Sequence, residues 1–432
     1  MNGRHVGVWS RHAVRDTLSY SAAWADAPDG RPLSLSLPFQ PGNLPHQGAA
    51  VRHYFSNLLP DSQPILERLA QRFKTGTTDA FDLLAEIGRD CVGALQIVPA
   101  GDDPGDPFVI EGEPLDNAGV ARELAAAVAP GSGLGSLGGG GDFRISIAGA
   151  QEKTALLRVG DQWMRPRGAT PTTHILKLPM GLVGNQKIDL NGSVENEWLC
   201  AQILAAYGLP VARCEKGDFN GTKALIVERF DRRWTPERKA LLRLPQEDMC
   251  QATGTSPLVK YEVDGGPGMD RILGLLDSSE QRGKDRMNFF RAQLLFWLLC
   301  APDGHAKNFS LHLQARGAFA MTPLYDVLSA YPWLGNGANQ IKPFQVKLAM
   351  AVRGKNPHWK MRDVQRRHWN ETARRNGLGD SVETIIAEIL EKTPAVIARV
   401  GRELPAQFPA RVADAIFSGL QDAAERLARM PE

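Results

Sequence analysis

An ordered series of features in the middle of the chain constrains its fold more than any other property of the sequence. A small-residue turn between strand-like segments comes first, followed by Lys177 inside an apolar strand and by an amphipathic helix over SVENEWLCAQILAAYGLP. A further strand, TKALIVERF, precedes a region of helical pattern that leads into PDGHAKNFSL. Each feature alone is common, but the order is far less frequent by chance. It predicts an α+β protein with a mixed N-terminal lobe and a mainly helical C-terminal lobe.

The segment PDGHAKNFSL carries polar groups at a spacing that suits phosphoryl transfer. This reaction needs an acid at the acceptor hydroxyl and two oxygen ligands for magnesium. Asp303 and Asn308 have the spacing D-x-x-x-x-N, and Asp326 follows a short strand-like stretch, FAMTPLY. We expect Asp303 to accept or orient the proton of the attacking hydroxyl, and Asn308 and Asp326 to hold the metal. The whole order of parts is that of a protein kinase.

Two other residues of this loop have open roles. Lys307 is placed to face the transferring phosphate. His305 is either a catalytic base or a residue that packs and hydrogen-bonds to hold the loop, and histidines in such loops more often do the latter.

Several residues outside the loop are compatible with nucleotide binding. The turn from Ser146 to Lys153 either cradles phosphates or is a β-turn without a ligand. Lys177 either neutralises phosphates or extends outward from a half-buried strand. Glu195 and Glu197 open the next helix, where they either orient Lys177 as ion-pair partners or simply favour the helix, as acidic residues in a first turn do. VERF, which ends a strand, either offers backbone groups to adenine or is an ordinary connector.

Bulk properties limit the class of protein. The 432 residues suggest two or three domains, and 43% hydrophobic with 23% charged residues is ordinary for a globular protein. The net charge of +2 leaves only a local patch for nucleic-acid contact. Five dispersed cysteines argue against a disulfide framework or a zinc site. The N-terminus lacks the apolar core of a signal peptide, and AQLLFWLLCA is too short to span a bilayer. We therefore expect a soluble cytoplasmic protein with no membrane partner.

Local patterns predict the secondary structure and three consecutive domains. HVGVWS, LSLSLPF and GALQIVPA are expected to be strands, and SQPILERLAQRF and DAFDLLAEIG helices. From Asp231 onward the pattern is mostly helical. The expected domains are an N-terminal subdomain (1–115), a nucleotide-binding part (116–230) and a helical lobe (231–432).

A basic segment from Ala351 to Arg375 raises the question of a polyanionic partner. It holds eight Lys/Arg residues against two acids, a local charge of +6, with Trp359 and Trp369 interleaved. Such a segment suits a phosphate backbone, and a solvated basic face explains it equally well.

The motifs together resemble those of the HipA toxins, bacterial serine/threonine kinases of type II toxin–antitoxin modules that are linked to growth arrest and persistence. The resemblance rests on SIAGAQEKTALL, TPTTHILKLP, ALIVERFDRRW, LLRLPQEDMCQATG, KYEVDGGPG, DGHAKNFS and TPLYDVLSAYP. It covers about Ser146 to Met350, and the first hundred residues fit the family more loosely.

The resemblance implies a kinase that uses ATP and Mg²⁺, with Asp303 as the catalytic residue and Asn308 and Asp326 as metal ligands. It also implies that Ser146 is autophosphorylated, which shuts the kinase. The ATP-binding residues that it implies are Ala148, Gly149, Ala150, Gln151, Glu152, Lys153, Lys177, Glu228, Arg229, Phe230, His305, Ala306, Lys307, Asn308, Tyr325, Asp326, Val327 and Leu328.

The same resemblance implies macromolecular partners. These are a HipB-like helix-turn-helix antitoxin, operator DNA bound together with it, and a protein substrate, for which the family's known example is glutamyl-tRNA synthetase. The DNA-binding residues would be Arg353, Lys355 and Lys360, although the surrounding sequence diverges from the family. Two other functions stay open: a catalytically weak nucleotide-binding co-repressor, and a kinase for a small molecule.

Overall fold

The computed structural model describes residues 1–128, 151–184 and 187–432. They form two compact units, each built from three separate segments of the chain. The first unit contains Met1–Leu178, Gly217–Val259 and Ser310–Phe319, and the second contains Pro179–Lys216, Lys260–Phe309 and Ala320–Glu432. The three consecutive domains expected from the sequence cut across these units, because compactness depends on contacts between segments that are distant along the chain.

The strands of the described ranges are short, and most belong to antiparallel pairs. In chain order they are β1 (Gly7–His12), β2 (Arg15–Tyr20), β3 (His46–Gln47), β4 (Gly112–Leu115), β5 (Lys153–Val159), β6 (Gln162–Pro166), β7 (His174–Lys177), β8 (Leu182–Val183), β9 (Ile188–Asp189), β10 (Cys214–Phe219), β11 (Thr222–Glu228), β12 (Arg232–Trp234), β13 (Leu241–Arg243), β14 (Gln246–Asp248), β15 (Ser310–Leu313), β16 (Phe319–Met321), β17 (Lys347–Arg353) and β18 (Pro357–Lys360).

The longest helices lie near the C-terminus. In chain order the α-helices are α1 (Ala22–Ala25), α2 (Ala49–Ser56), α3 (Gln63–Phe73), α4 (Ala80–Ile87), α5 (Asn117–Val128), α6 (Ser193–Ala206), α7 (Met249–Ala252), α8 (Met269–Leu276), α9 (Arg282–Leu298), α10 (Arg366–Arg375), α11 (Gly379–Arg402) and α12 (Ala410–Arg429).

The N-terminal part of the first unit is a small antiparallel sheet of β1, β2 and β3 with helices packed against it. The indole of Trp9 on β1 stacks on Phe55 of α2, with ring centroids 3.8 Å apart. The predicted helices over SQPILERLAQRF and DAFDLLAEIG are confirmed as α3 and α4. Asp79 caps α4, since its carboxylate accepts the Phe81 N–H at 2.8 Å.

Two strands predicted in this region are wrong. LSLSLPF and GALQIVPA are irregular, and their backbone groups bond to side chains and to carbonyls of nearby turns instead of to a neighbouring strand. The Tyr20 hydroxyl accepts the Leu33 N–H and donates to the Leu37 carbonyl, both within 2.8 Å. The Gly93 N–H donates to the Asp231 carboxylate at 2.7 Å. The alternating apolar residues therefore mark buried positions of loops here, and not strands paired in a sheet.

The second part of the first unit is a six-stranded sheet in the order β10-β11-β7-β5-β6-β4. β5 pairs antiparallel with β6 and β7, and β7 pairs antiparallel with β11. Leu156, Leu176 and Ile226 on one face pack with Val120 and Leu124 of α5. The predicted strand that contains Lys177 and the strand predicted over TKALIVERF are confirmed as β7 and β11.

The second unit is mainly helical and is organised around α9. This helix is buried on nearly all sides, with Phe290 and Trp297 packing edge-on against Trp369 of α10. In addition, α6 contacts α11, and α12 contacts α9. The apolar run AQLLFWLLCA thus covers the buried end of α9 and the three buried residues after it. Within the described ranges no helix combines the length and apolarity needed to cross a membrane.

The region after Asp231 also contains strands that the sequence pattern does not predict. β12 pairs with β13, β14 with β15, and β17 with β18. Most of these strands have three or four residues, which is too few to show the two-residue alternation that distinguishes a strand from a helix.

Candidate functional site

Asp303 lies in a tight loop that follows the buried helix α9. The chain leaves the helix through Cys300, whose φ of +49° is left-handed, and the Ala301 N–H donates to the Phe296 carbonyl at 2.8 Å. Gly304 has no room for a side chain, because a Cβ atom there would lie 2.5 Å from the Phe296 ring. The carboxyl group of Asp303 is 59% exposed, whereas the residues after it are buried. The loop thus presents one carboxylate to solvent from a fixed backbone.

Asn308 links the other two polar residues that the sequence singled out, Asp303 and Asp326. Its Nδ2 donates to the Asp303 carbonyl at 2.7 Å and to the Asp326 carbonyl at 3.4 Å. Because the amide N–H groups are used in this way, the amide oxygen remains for a cation. The structure therefore brings Asp303, Asn308 and Asp326 together, although Asp326 is distant in sequence.

The backbone of Asp326 has an unusual conformation, which hydrogen bonds of the neighbouring residues maintain. Its φ is +61°, a left-handed conformation that is uncommon for a residue other than glycine. On one side, the Leu324 N–H donates to the Pro210 carbonyl, and the Leu324 carbonyl accepts the Ala212 N–H, both at 2.8 Å. The Tyr325 hydroxyl donates to the Lys307 carbonyl at 2.8 Å, which ties this segment to the Asp303 loop. Val327 is buried and Leu328 is half-buried.

The donor set fits magnesium. An amide oxygen from Asn308 and a carboxylate from Asp326 are hard ligands, and Mg²⁺ commonly takes only one or two side-chain ligands and completes its shell with water and phosphate oxygens. In the described part of the chain, no group of three or more His, Cys, Asp or Glu side chains is placed to hold a metal ion.

His305 is packed in the loop. Its side chain is 5% exposed, and its Nε2 atom lies 4.0 Å from Asp303 Oδ1, beyond hydrogen-bonding distance. Its ring meets the Tyr261 ring edge-on at 5.1 Å. This geometry favours the loop-holding role over direct chemistry. Ala306 and Lys307 are buried beside it.

In the first unit, two of the predicted phosphate-binding lysines are neighbours. Lys153 on β5 and Lys177 on β7 are register partners, so both side chains leave the same face of the sheet with Cβ atoms about 5 Å apart. Like charges placed directly opposite each other are unfavourable unless anions lie nearby. Beside them, Gln151 Nε2 donates to the Leu178 carbonyl at 2.6 Å, and the Leu178 N–H donates to the Glu152 carbonyl at 3.2 Å. Ser146, Ala148, Gly149 and Ala150 lie outside the described residues.

The strand end Glu228–Phe230 is held by its neighbours. Glu228 pairs with His174 in the register of β11 and β7, and the Arg229 N–H donates to the Thr173 carbonyl at 2.8 Å. The ring of Phe230 meets His312 edge-on. The guanidinium of Arg229 is buried in ion pairs, so any contribution of this residue to a nucleotide site is limited to its backbone.

Those ion pairs belong to a buried cluster of three arginines and two aspartates. Asp90 contacts Arg229 at 3.2 Å, Arg232 at 2.8 Å and Arg243 at 3.2 Å, while Asp231 contacts Arg229 at 2.7 Å and Arg232 at 3.0 Å. Burial would raise the pKa of Asp90, but the three guanidinium groups, Arg232 foremost, hold that pKa far below its usual range. Burial and the neighbouring Arg229 lower the pKa of Arg232 to about 10. The cluster fastens the strand end after Glu228 to the N-terminal part of the first unit.

The basic segment is less cationic in the structure than in the sequence. Several of its arginines pair with acids, some of which lie far from the segment: Arg353 with Glu262, Arg362 with Asp363, Arg366 with Glu383, Arg374 with Glu371 and Arg375 with Asp270. Of the residues predicted to bind DNA, Arg353 is therefore partly neutralised, whereas Lys355 and Lys360 are exposed on the β17–β18 hairpin.

Sequence reasoning missed Tyr261 as a site residue. Its hydroxyl donates to Asp303 Oδ1 at 2.6 Å, although the two residues are 42 positions apart. The only signal was the motif KYEVDGGPG, which carried no chemistry by itself.

Comparison with known proteins agrees with this fold and site. The HipA N-terminal domain matches residues 1–98, and the HipA-like C-terminal domain matches residues 145–397. An α+β fold with this cluster of Asp303, Asn308 and Asp326 is that of a protein-kinase-like chain. The chain belongs to the HipA family, which confirms the resemblance drawn from its motifs.

Relatives extend over most of the chain. It is 33% identical over 407 residues to a protein named putative kinase Y4mE from Sinorhizobium fredii, across 92% of this chain and 90% of that protein. It is 27% identical over 360 residues to the serine/threonine-protein kinase toxin HipA of Shewanella oneidensis, across 80% and 76%. A chain in the solved complex of HipA, HipB and operator DNA from Shewanella oneidensis MR-1 has the same fold, with a TM-score of 0.78, 24% identity and coverage of 98% and 95%.

Proposed function

We propose that this protein is the toxin of a type II toxin–antitoxin module and acts as an ATP- and Mg²⁺-dependent serine/threonine protein kinase. The observation that carries the proposal is the cluster in which the Asn308 amide bonds the backbones of both Asp303 and Asp326. Membership of the HipA family supports the same activity.

Each residue has a role that follows from its chemistry. Asp303, exposed at the end of a rigid loop, accepts or orients the proton of the attacking hydroxyl. Asn308 and Asp326 hold magnesium, which neutralises charge on the nucleotide phosphates when it is bound. In the first unit, the family resemblance supports Lys153 and Lys177 as phosphate-binding residues and the backbone of Glu228–Phe230 as a hydrogen-bonding partner of adenine.

Two parts of the proposal rest on the family alone. Ser146 is proposed as an autophosphorylation site, where a phosphate group would compete electrostatically with nucleotide phosphates. A translation-related protein such as glutamyl-tRNA synthetase is proposed as the target whose phosphorylation arrests growth.

Incubation with γ-labelled ATP and Mg²⁺ tests the activity. We expect the purified protein to become labelled, with the phosphate located at Ser146 by mass spectrometry of its peptides. A chelator that removes Mg²⁺ should prevent labelling, because Asn308 and Asp326 then have no ion to hold. A protein that is unmodified before incubation and still gains no phosphate, on itself or on an added protein, would contradict the proposal.

We further propose that the chain binds a HipB-like antitoxin and, with it, operator DNA. The support is the Shewanella complex, which holds these components, and the exposure of Lys355 and Lys360. Replacing both lysines by alanine should weaken operator binding by the toxin–antitoxin complex and lower the slope of log affinity against log salt by up to about 2, since each phosphate contact contributes about 0.9.

The matched control removes two exposed lysines elsewhere in the second unit, Lys284 and Lys392. This control should leave the salt slope unchanged. Equal slopes for both double variants and the unmodified protein would exclude the β17–β18 hairpin from DNA contact.

A further inference from the structure

Tyr261 makes a short hydrogen bond to the carboxylate of Asp303. Its hydroxyl lies 2.6 Å from Asp303 Oδ1, and its ring packs edge-on against His305 at a centroid distance of 5.1 Å. The Asp303 side chain is 59% exposed. Without this hydrogen bond, contact with solvent would not fix the orientation of its carboxylate. One phenol therefore contacts both the reactive side chain and the histidine that holds the loop.

The segment around Tyr261 is itself rigidly anchored. The Tyr261 carbonyl accepts the N–H groups of Asp264 and Gly266, at 3.1 and 2.9 Å, and so closes a turn. The next residue, Glu262, accepts the Ala351 N–H of β17 at 2.5 Å and forms an ion pair with Arg353. Gly268 makes room for this carboxylate, because a Cβ atom at that position would lie 2.3 Å from Glu262 Cδ. These contacts fix the backbone from which the Tyr261 ring extends.

We propose that Tyr261 is a positioning residue that orients Asp303 for phosphoryl transfer, an inference that rests on the proposed kinase function. A phenol has a pKa of about 10 and therefore donates a hydrogen bond throughout the physiological pH range. By holding Oδ1, it fixes the carboxylate so that Oδ2 faces the acceptor hydroxyl.

Tyr261→Phe tests this role, because it removes only the hydroxyl and keeps the ring that packs on His305. We expect kcat for phosphorylation to fall by about 10- to 100-fold, the range that loss of alignment produces. The KM for ATP should stay unchanged. A merely structural role for Tyr261 would disturb the loop as a whole and change KM together with kcat, so a fall in kcat alone identifies the positioning role.

Tyr207→Phe is the matched control, as it deletes the hydroxyl of another tyrosine in the same unit, whose partner is Thr393 at 2.6 Å. This variant should keep the wild-type kcat and KM. An unchanged kcat in Tyr261→Phe, together with an inactive Asp303→Asn variant, would overturn the positioning role and leave the kinase function intact.

Discussion

Asp303→Asn is expected to lower autophosphorylation by at least about 10³-fold, within the range that a positioned proton acceptor contributes to catalysis. Asparagine has nearly the same shape but cannot accept the proton of the attacking hydroxyl. The side chain is exposed, and Asn308 bonds the Asp303 backbone rather than its carboxyl group, so the loop should keep its structure. The initial rate of phosphate incorporation from γ-labelled ATP measures the effect.

Asp363→Asn is a suitable control, because it neutralises another half-exposed carboxylate of the same unit, 48% exposed and outside the cluster. Its rate should equal that of the wild type. If Asp303→Asn retained wild-type labelling, Asp303 would lose its assigned role, and the acceptor proton would have to leave by another route.

Asp90→Asn is expected to destabilise the first unit by about 3–5 kcal/mol, the usual effect of removing one partner from a buried ion-pair network. In the wild type, Asp90 and Asp231 balance two of the three positive charges of Arg229, Arg232 and Arg243. Without the Asp90 charge, three buried guanidinium groups share a single carboxylate. Strand β11 ends inside this cluster, so its last residues should lose order first.

Hydrogen exchange read by mass spectrometry measures this change locally, which a single melting temperature cannot do for a chain with two compact units. Peptides of β7, β11 and the Asp90 region should exchange faster in Asp90→Asn. Asp29→Asn, which breaks the exposed ion pair with Arg4, should leave their exchange unchanged. Wild-type protection in Asp90→Asn would show that the cluster contributes little to stability.

Local chemistry explains which parts of the site were predictable. The spacing of Asp303 and Asn308 places both in one loop after a buried helix, and the segment TPLYD places Asp326 just past a short strand. Lys177 was recognisable because a lysine within an apolar strand needs an anionic neighbour or an exit to solvent. These inferences use residues near each other in the chain, or an order of parts that one fold imposes.

Contacts between distant segments were not predictable. The Arg229 guanidinium is buried against Asp90, 139 residues earlier, so its place in a predicted adenine site could not be judged from VERF. Arg353 looked like a free cation within a basic segment, but its partner Glu262 lies 91 residues upstream. Tyr261 was missed for the same reason, since only folding brings its hydroxyl to Asp303.

The interleaving of the two compact units has a consequence for synthesis on the ribosome. The first unit lacks β15 until Ser310–Leu313 has emerged, since this strand pairs with β14. At that moment Asp303 and Asn308 have also emerged, whereas Asp326, which follows β15, is still inside the ribosome. A nascent chain can therefore complete its first unit before both of the proposed metal ligands are outside the ribosome. Cutting the gene at one point cannot yield either unit alone, and any chain released before Asp326 is expected to be harmless to the cell that makes it.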